Sequence, residues 1–222
     1  MRYKYIAFDI DGTLIDTQDT FTYSFAQTIK EIKGDLVQPD ALVQYFGLPS
    51  LTGIERVGFP DAKAALDLWE EHYRRMAQEK SHPYRGVHEA LGRIVAAGIK
   101  IGVITSRSRE EFEADRNLDP WREHFGVVIC ADDTVRHKPD GEPALAFAAA
   151  AGVSVGECLY MGDTQMDALC AAAAGMDFAL ADWSGASGMG TALADRSGAS
   201  GIPCDFRFTN ADEMLAAALT PA

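Results

Sequence analysis

No run in this 222-residue chain approaches the roughly 18 consecutive apolar residues that a membrane-spanning helix needs. Cysteine is scarce. Cys130, Cys158, Cys170 and Cys204 are the only four, none forms a CxxC pair, and none stands at zinc-ligand spacing from a histidine. Cys130 and Cys158 lie in apolar runs, where the thiol behaves as a small buried hydrophobe. The histidines, His72, His82, His88, His124 and His137, make no metal-spaced pair, and no Ser-His-Asp or Cys-His arrangement emerges. Basic residues are also few. Twenty Lys and Arg face 33 Asp and Glu, a formal net charge of −13, which argues against a nucleic-acid partner. The Gly-, Ser- and Ala-rich segment Ser184–Gly201 lacks the GxxxxGK[ST] spacing and reads as a surface loop with one short helix near Thr191–Arg196. The N-terminal Met1–Phe8 is too short and too polar at its start for a secretory signal. The expectation is a soluble, cytoplasmic protein with no membrane and no nucleic-acid partner, monomeric or homodimeric.

What is present is an alternation of two periodicities. Short apolar runs at Tyr5–Phe8, Ile99–Ile104, Val127–Cys130 and Cys158–Met161 read as buried strands, with a weaker one at Phe178–Leu180 and an edge strand at Phe206–Phe208. Helical patterns lie between them. Val87, Leu91, Ile94 and Val95 share a face that ends at Gly98; Ser108 and Glu111 form a capping box; Pro143 opens a helix that Gly152 closes. Ala168–Ala174 is a strong helix former ended by Gly175, and Asn210 with Glu213 caps the last helix. Alternation of this kind predicts an α/β fold, a parallel sheet with helices on both faces. Between Thr17 and about Pro83 the strand signal vanishes. Phe21, Phe25, Ile29 and Ile32, then Leu66, Trp69, Tyr73 and Met76, form helical stripes. The boundaries expected are a core of residues 1–16 and 84–222 and a small inserted α-helical cap of residues 17–83.

Four constellations follow predicted strands. In Asp9-Ile10-Asp11-Gly12-Thr13, two carboxylates end a buried strand, which is costly unless a cation or hydrogen bonds offset their desolvation; the plain alternative is an Asp-Gly turn. Thr105-Ser106 ends the second strand, where hydroxyls and backbone N–H groups suit either an oxyanion or a helix N-cap. Lys138, in His137-Lys138-Pro139, is either a solvated charge or a counter-charge for Asp9. In Gly162-Asp163-Thr164-Gln165-Met166-Asp167, hard carboxylate oxygens suit magnesium, while Thr164 and Asp167 also match a capping box.

Taken together, DxDGT at Asp9, the hydrophobic strand ending in Thr105, the loop Lys138 and GDxxxD at Asp163–Asp167 resemble the haloacid dehalogenase superfamily. The chain is most similar to the helically capped branch that includes phosphoglycolate phosphatases and related sugar phosphatases. The resemblance implies a Rossmann-like core and a magnesium-dependent phosphatase acting on a small phosphorylated metabolite. Asp9 would be the nucleophile that becomes an aspartyl-phosphate. Asp11 would be acid and then base, its backbone carbonyl facing the metal. Asp163 would ligate Mg2+ directly, and Asp167 through water or by orienting the site. Lys138 and Thr105, with Ser106 and Gly12, would hold the phosphoryl group. Asp11 favours phosphate chemistry over carbon–halogen cleavage, which needs no leaving-group acid there. Tyr45–Arg56 resembles a substrate-touching cap loop in which Arg56 would meet a second anionic group or simply face solvent. The alternatives within the same resemblance are a phosphomutase and a phosphonate hydrolase. The latter needs a cap lysine, for which Lys30, Lys33 and Lys63 match no motif. A non-catalytic binding protein on this scaffold is the reading from another class.

Overall fold

The computed structural model describes residues 2–183 and 201–221, so the loop and short helix expected within Ser184–Gly201 lie almost wholly outside the described residues. Six parallel strands build the main sheet: β1 (Tyr5–Phe8), β4 (Lys100–Ile104), β5 (Phe125–Ile129), β6 (Cys158–Gly162), β7 (Asp177–Ala181) and β8 (Phe206–Phe208). Their spatial order is β5-β4-β1-β6-β7-β8, which puts β1 in the middle. All four residues of β1 are buried, as a strand covered on both faces requires. Its side chains alternate between two apolar cores. Ile6 and Phe8 join α4 (Val87–Ala96), Phe112 of α5 (Arg109–Ala114) and α8 (Ala211–Ala218). Tyr5 and Ala7 face α6 (Glu142–Ala151) and α7 (Gln165–Ala174). The expected parallel α/β sheet with helices on both faces is therefore the observed fold.

Residues between β1 and β4 add α1 (Gln18–Lys33), a 3-10 turn at Pro39–Tyr45, α2 (Ser50–Val57) and α3 (Ala62–Lys80). Their apolar stripes close on a third core containing Phe21, Phe25, Leu42, Ile54 and Trp69. Phe21 meets Phe25 and Trp69 edge to face at 5.5 and 5.7 Å. Two details depart from the sequence pattern. Ile32 is exposed rather than part of the stripe, because α1 reaches its left-handed cap at Gly34 beyond the end of the cluster. A two-residue antiparallel ribbon, β2 (Ile15–Asp16) with β3 (His82–Pro83), ties the start and end of the insert together where no strand was expected at His82. Pairs this short carry no periodicity to read.

Candidate active site

The floor of the site is set by strand register. β1 pairs with β6 so that Phe8 lies opposite Met161, and the Asp9 N–H donates to the Met161 carbonyl at 2.8 Å. Residues far apart in sequence, Asp9 and Asp163, therefore leave the sheet at one edge. Gly12 (φ +81°) lets the Asp9–Asp11 turn approach, since a Cβ there would lie 2.1 Å from Asp163 Oδ2. Gly162 serves Asp167 likewise, its would-be Cβ only 2.6 Å from the Asp167 Cβ. Carboxylate oxygens of Asp9, Asp163 and Asp167 lie within 4.8 Å of one another.

Lys138, on the loop before α6, fills the gap between two of them. Its Nζ donates to Asp9 Oδ1 at 2.8 Å and to Asp167 Oδ1 at 2.6 Å, and all three residues are buried. The Tyr160 hydroxyl also donates to Asp167 Oδ1 at 2.6 Å. Asp167 Oδ2 accepts the Thr164 N–H and hydroxyl at 3.0 and 2.5 Å, so the capping box and the site use one carboxylate. The Thr13 hydroxyl donates to Asp163 Oδ1 at 3.2 Å.

Burial, and then the Asp167 and Asp11 charges, push the Asp9 carboxyl up to about 7 against the pull of Lys138. Asp163 is driven well above the carboxylate range by burial and by its neighbours Asp167 and Asp9. Asp167 is buried too, but the Lys138 ammonium outweighs that and holds it below its ordinary value.

A second carboxylate–cation set stands beside the first. Burial would raise Asp11, yet the Arg107 guanidinium lowers it. Arg107 grips Asp11 through Nε–Oδ2 at 2.8 Å and Nη2–Oδ1 at 2.7 Å, and donates from Nη1 to Asp115 Oδ2 at 2.7 Å. The Thr17 hydroxyl adds a bond to Asp11 Oδ1 at 2.7 Å.

Over these groups the helical insert closes a cavity of about 440 Å³, with Asp9, Asp11 and Lys138 on one wall and Phe46, Trp69 and Tyr73 on the other. Two contacts hold the walls together. Ser106 Oγ donates to the Gly47 carbonyl at 2.9 Å, and Ser50 Oγ donates to Glu111 Oε1 at 2.5 Å.

Of the residues singled out in the sequence, Asp9, Asp11, Ser106, Lys138 and Asp167 line the cavity. Asp163 and Gly12 are not among its lining residues, and the buried Thr105 accepts the Arg107 N–H at 3.2 Å through its hydroxyl. Arg56 is exposed on α2 and does not line the cavity, whereas Arg74, Arg107 and Arg116 do. Arg107 and Tyr160 were not anticipated. The only signal for Arg107 was its place two residues after Thr105, and Tyr160 looked like an ordinary core aromatic in an apolar run.

Comparison with known proteins supports the sequence resemblance. The haloacid dehalogenase-like hydrolase family matches residues 6–181. Pyrophosphatase PpaX of Halalkalibacterium halodurans is 26% identical over 185 residues, covering 83% of this chain and 86% of that protein. A protein of Caldanaerobacter subterraneus provisionally designated pyrophosphatase PpaX is 28% identical over 184 residues, covering 83% and 84%. A Lactobacillus plantarum crystal structure, provisionally designated a phosphoglycolate phosphatase, superposes with a TM-score of 0.76 at 27% identity over 97% of this chain and 99% of that one. The match spans most of the chain, and the chain belongs to the haloacid dehalogenase-like hydrolases.

Proposed function

We propose that this hydrolase is a magnesium-dependent phosphatase of small phosphorylated metabolites, with Asp9 as nucleophile. The observation that carries the reading is the gathering of Asp9, Asp163 and Asp167 within 4.8 Å, with the Lys138 ammonium bonded to two of them, beside a cavity under the helical insert. The names of its relatives, a pyrophosphatase and a provisionally designated phosphoglycolate phosphatase, point to the same chemistry. The cavity is of a size that suits a small molecule.

The donor set fits a divalent cation. Three carboxylates cluster with one lysine bonded to two of them, their oxygens are hard ligands, and a glycine stands where any Cβ would displace Asp163. Asp9 and Asp163, with the Asp11 backbone carbonyl, would hold Mg2+. Asp167, with both oxygens already engaged, would orient Lys138 instead of ligating directly. When bound, the ion supplies neutralisation of charge between an anionic nucleophile and an anionic substrate.

The chain's own residues divide the remaining work. Asp9 Oδ attacks phosphorus; the P–O bond to the leaving group breaks and an aspartyl-phosphate forms. Lys138 offsets charge on Asp9 and on the transferring group. Water then cleaves the acyl-phosphate as Asp11 takes its proton. Arg107 keeps Asp11 ionised, which suits that second half; donation of a proton to the leaving group in the first half requires substrate to share Arg107. Residues 17–83 act as a lid on the core of residues 1–16 and 84–222, and Phe46, Trp69 and Tyr73 exclude water. The test is phosphate release from 4-nitrophenyl phosphate with Mg2+ by the native enzyme and by Asp9→Asn. The native enzyme should turn over, and the variant should lose at least about a thousandfold while keeping its circular dichroism. Near-normal turnover by the folded variant would sink the mechanism.

A further inference from the structure

Three arginines line the cavity, and they differ in kind. Arg74 and Arg116 are exposed, while Arg107 is 7% exposed, as buried as Lys138. A guanidinium carries five N–H groups. Three of Arg107's are engaged, two by Asp11 and one by Asp115. One N–H on each terminal nitrogen is thus without an acceptor among the described residues, on a side chain that lines the cavity beside Asp11. Burying a cation is costly unless its donors are satisfied, and the planar fork is the group best shaped for a carboxylate or phosphoryl oxyanion.

We infer that Arg107 is the specificity residue that binds a second oxyanion of the substrate, distinct from the phosphoryl group attacked by Asp9. The inference rests on the phosphatase reading above and narrows its substrate class. The preferred substrate carries, close to the scissile phosphoryl group, either a carboxylate or another phosphoryl group. Arg56, the sequence-level candidate for this task, is outside the cavity. Asp11 and Asp115 hold the guanidinium in place for the second oxyanion, and Thr105 accepts from the Arg107 backbone.

The test compares kcat/KM, with Mg2+ present, for 2-phosphoglycolate, pyrophosphate, 2-hydroxyethyl phosphate and 4-nitrophenyl phosphate. The first and third differ by a carboxylate in place of a neutral hydroxymethyl group. One charge-assisted bidentate contact corresponds to a preference of about 10- to 100-fold for the charged ester. Arg107→Lys should keep the positive charge but lose the fork, cutting that ratio about tenfold, chiefly through KM. Arg107→Gln should abolish it. Whether phosphoglycolate or pyrophosphate shows the larger change tells which oxyanion is read. A merely structural arginine would lower all four rates together and leave the ratio unchanged, which overturns the inference; so does a native enzyme indifferent to the second charge, a measurement that needs no folded variant. Failure of the native enzyme to release phosphate from any of the four, 4-nitrophenyl phosphate included, would instead remove the phosphatase reading and this inference with it.

Discussion

The two halves of the site use the same parts and reach opposite electrostatic states. In one, Lys138 sits among Asp9, Asp163 and Asp167; in the other, Arg107 sits between Asp11 and Asp115. Both cations are buried, and both bridge two carboxylates. Burial pushes Asp9 and Asp163 toward protonation, and one ammonium among three carboxyl groups does not offset it. One guanidinium with bidentate geometry nearly balances its pair, so Asp11 stays ionised. Burial raises every one of these carboxylates, and the cation beside each decides whether that rise is outweighed. The half with the deficit is the half that calls for a divalent ion.

The comparison breaks most severely at Lys138. Lys138→Met should lower kcat by about 100- to 1000-fold through lost charge stabilisation. Removing one partner of a buried ion pair should also cost about 3–5 kcal/mol of folding stability, read by urea denaturation. A stable variant with native turnover would deny the buried ammonium both its structural and its catalytic part.

Asp11 sharpens the contrast next. Asp11→Asn should reduce turnover of an alkyl phosphate by about 100-fold and that of 4-nitrophenyl phosphate by clearly less, since a good leaving group needs little protonation. Equal losses on both esters would deny Asp11 the role of leaving-group acid and leave it only the water-activating step that both esters share.

A pH series on the metal-free protein tests the charge deficit. Asp9 is raised from 3.8 to about 7, and Asp163 is raised with it. For such groups the stabilisation is fully present below the unfolded value and is lost as pH rises through the folded one. Asp11 and Asp167 are lowered, so their contribution is lost only as pH falls below the ordinary value of 3.8. The Tm of the metal-free protein should accordingly fall between about pH 5 and about pH 8. Added Mg2+ should raise Tm more at the upper end, where protons no longer compete for Asp9 and Asp163. A larger Mg2+ effect at the acidic end would contradict this assignment.

The smallest effect belongs to the contact between the walls. Ser50→Ala removes the bond to Glu111 and should raise KM by about two- to tenfold with kcat little changed, as one hydrogen bond permits.

What could be read in advance follows from how local each signal is. Asp9, Asp163 and Asp167 stand in short spaced motifs at or just after apolar runs, so strand-end placement points to them; Lys138 is a lone loop lysine whose role comes only from the family resemblance. Arg107 belongs to the site through its grip on Asp11, 96 residues away in sequence, and no local pattern encodes that distance. Ser106 was nominated for phosphate because it follows a strand, but its hydroxyl is directed to Gly47 of the insert, a partner visible only once the walls meet. Tyr160 alternates correctly for a buried strand, and its hydroxyl partner Asp167 lies beyond the pattern that placed it. The fold was legible because two periodicities, repeated over many residues, add up. The insert's internal layout was less so: α2 is eight residues long, and Ile32 sits where the stripe has outrun its core.

The two-residue ribbon of Ile15–Asp16 with His82–Pro83 has a consequence for how this scaffold diversifies. The polypeptide departs from the sheet and returns to it through adjacent, mutually bonded positions, so the ends of the intervening segment are joined whatever its contents. Doubling the length of such a closed segment adds only about 0.6 kcal/mol of closure entropy. New roofs are therefore inexpensive to try on an unaltered reaction centre, and repertoire can widen by exchanging one module at a single joint.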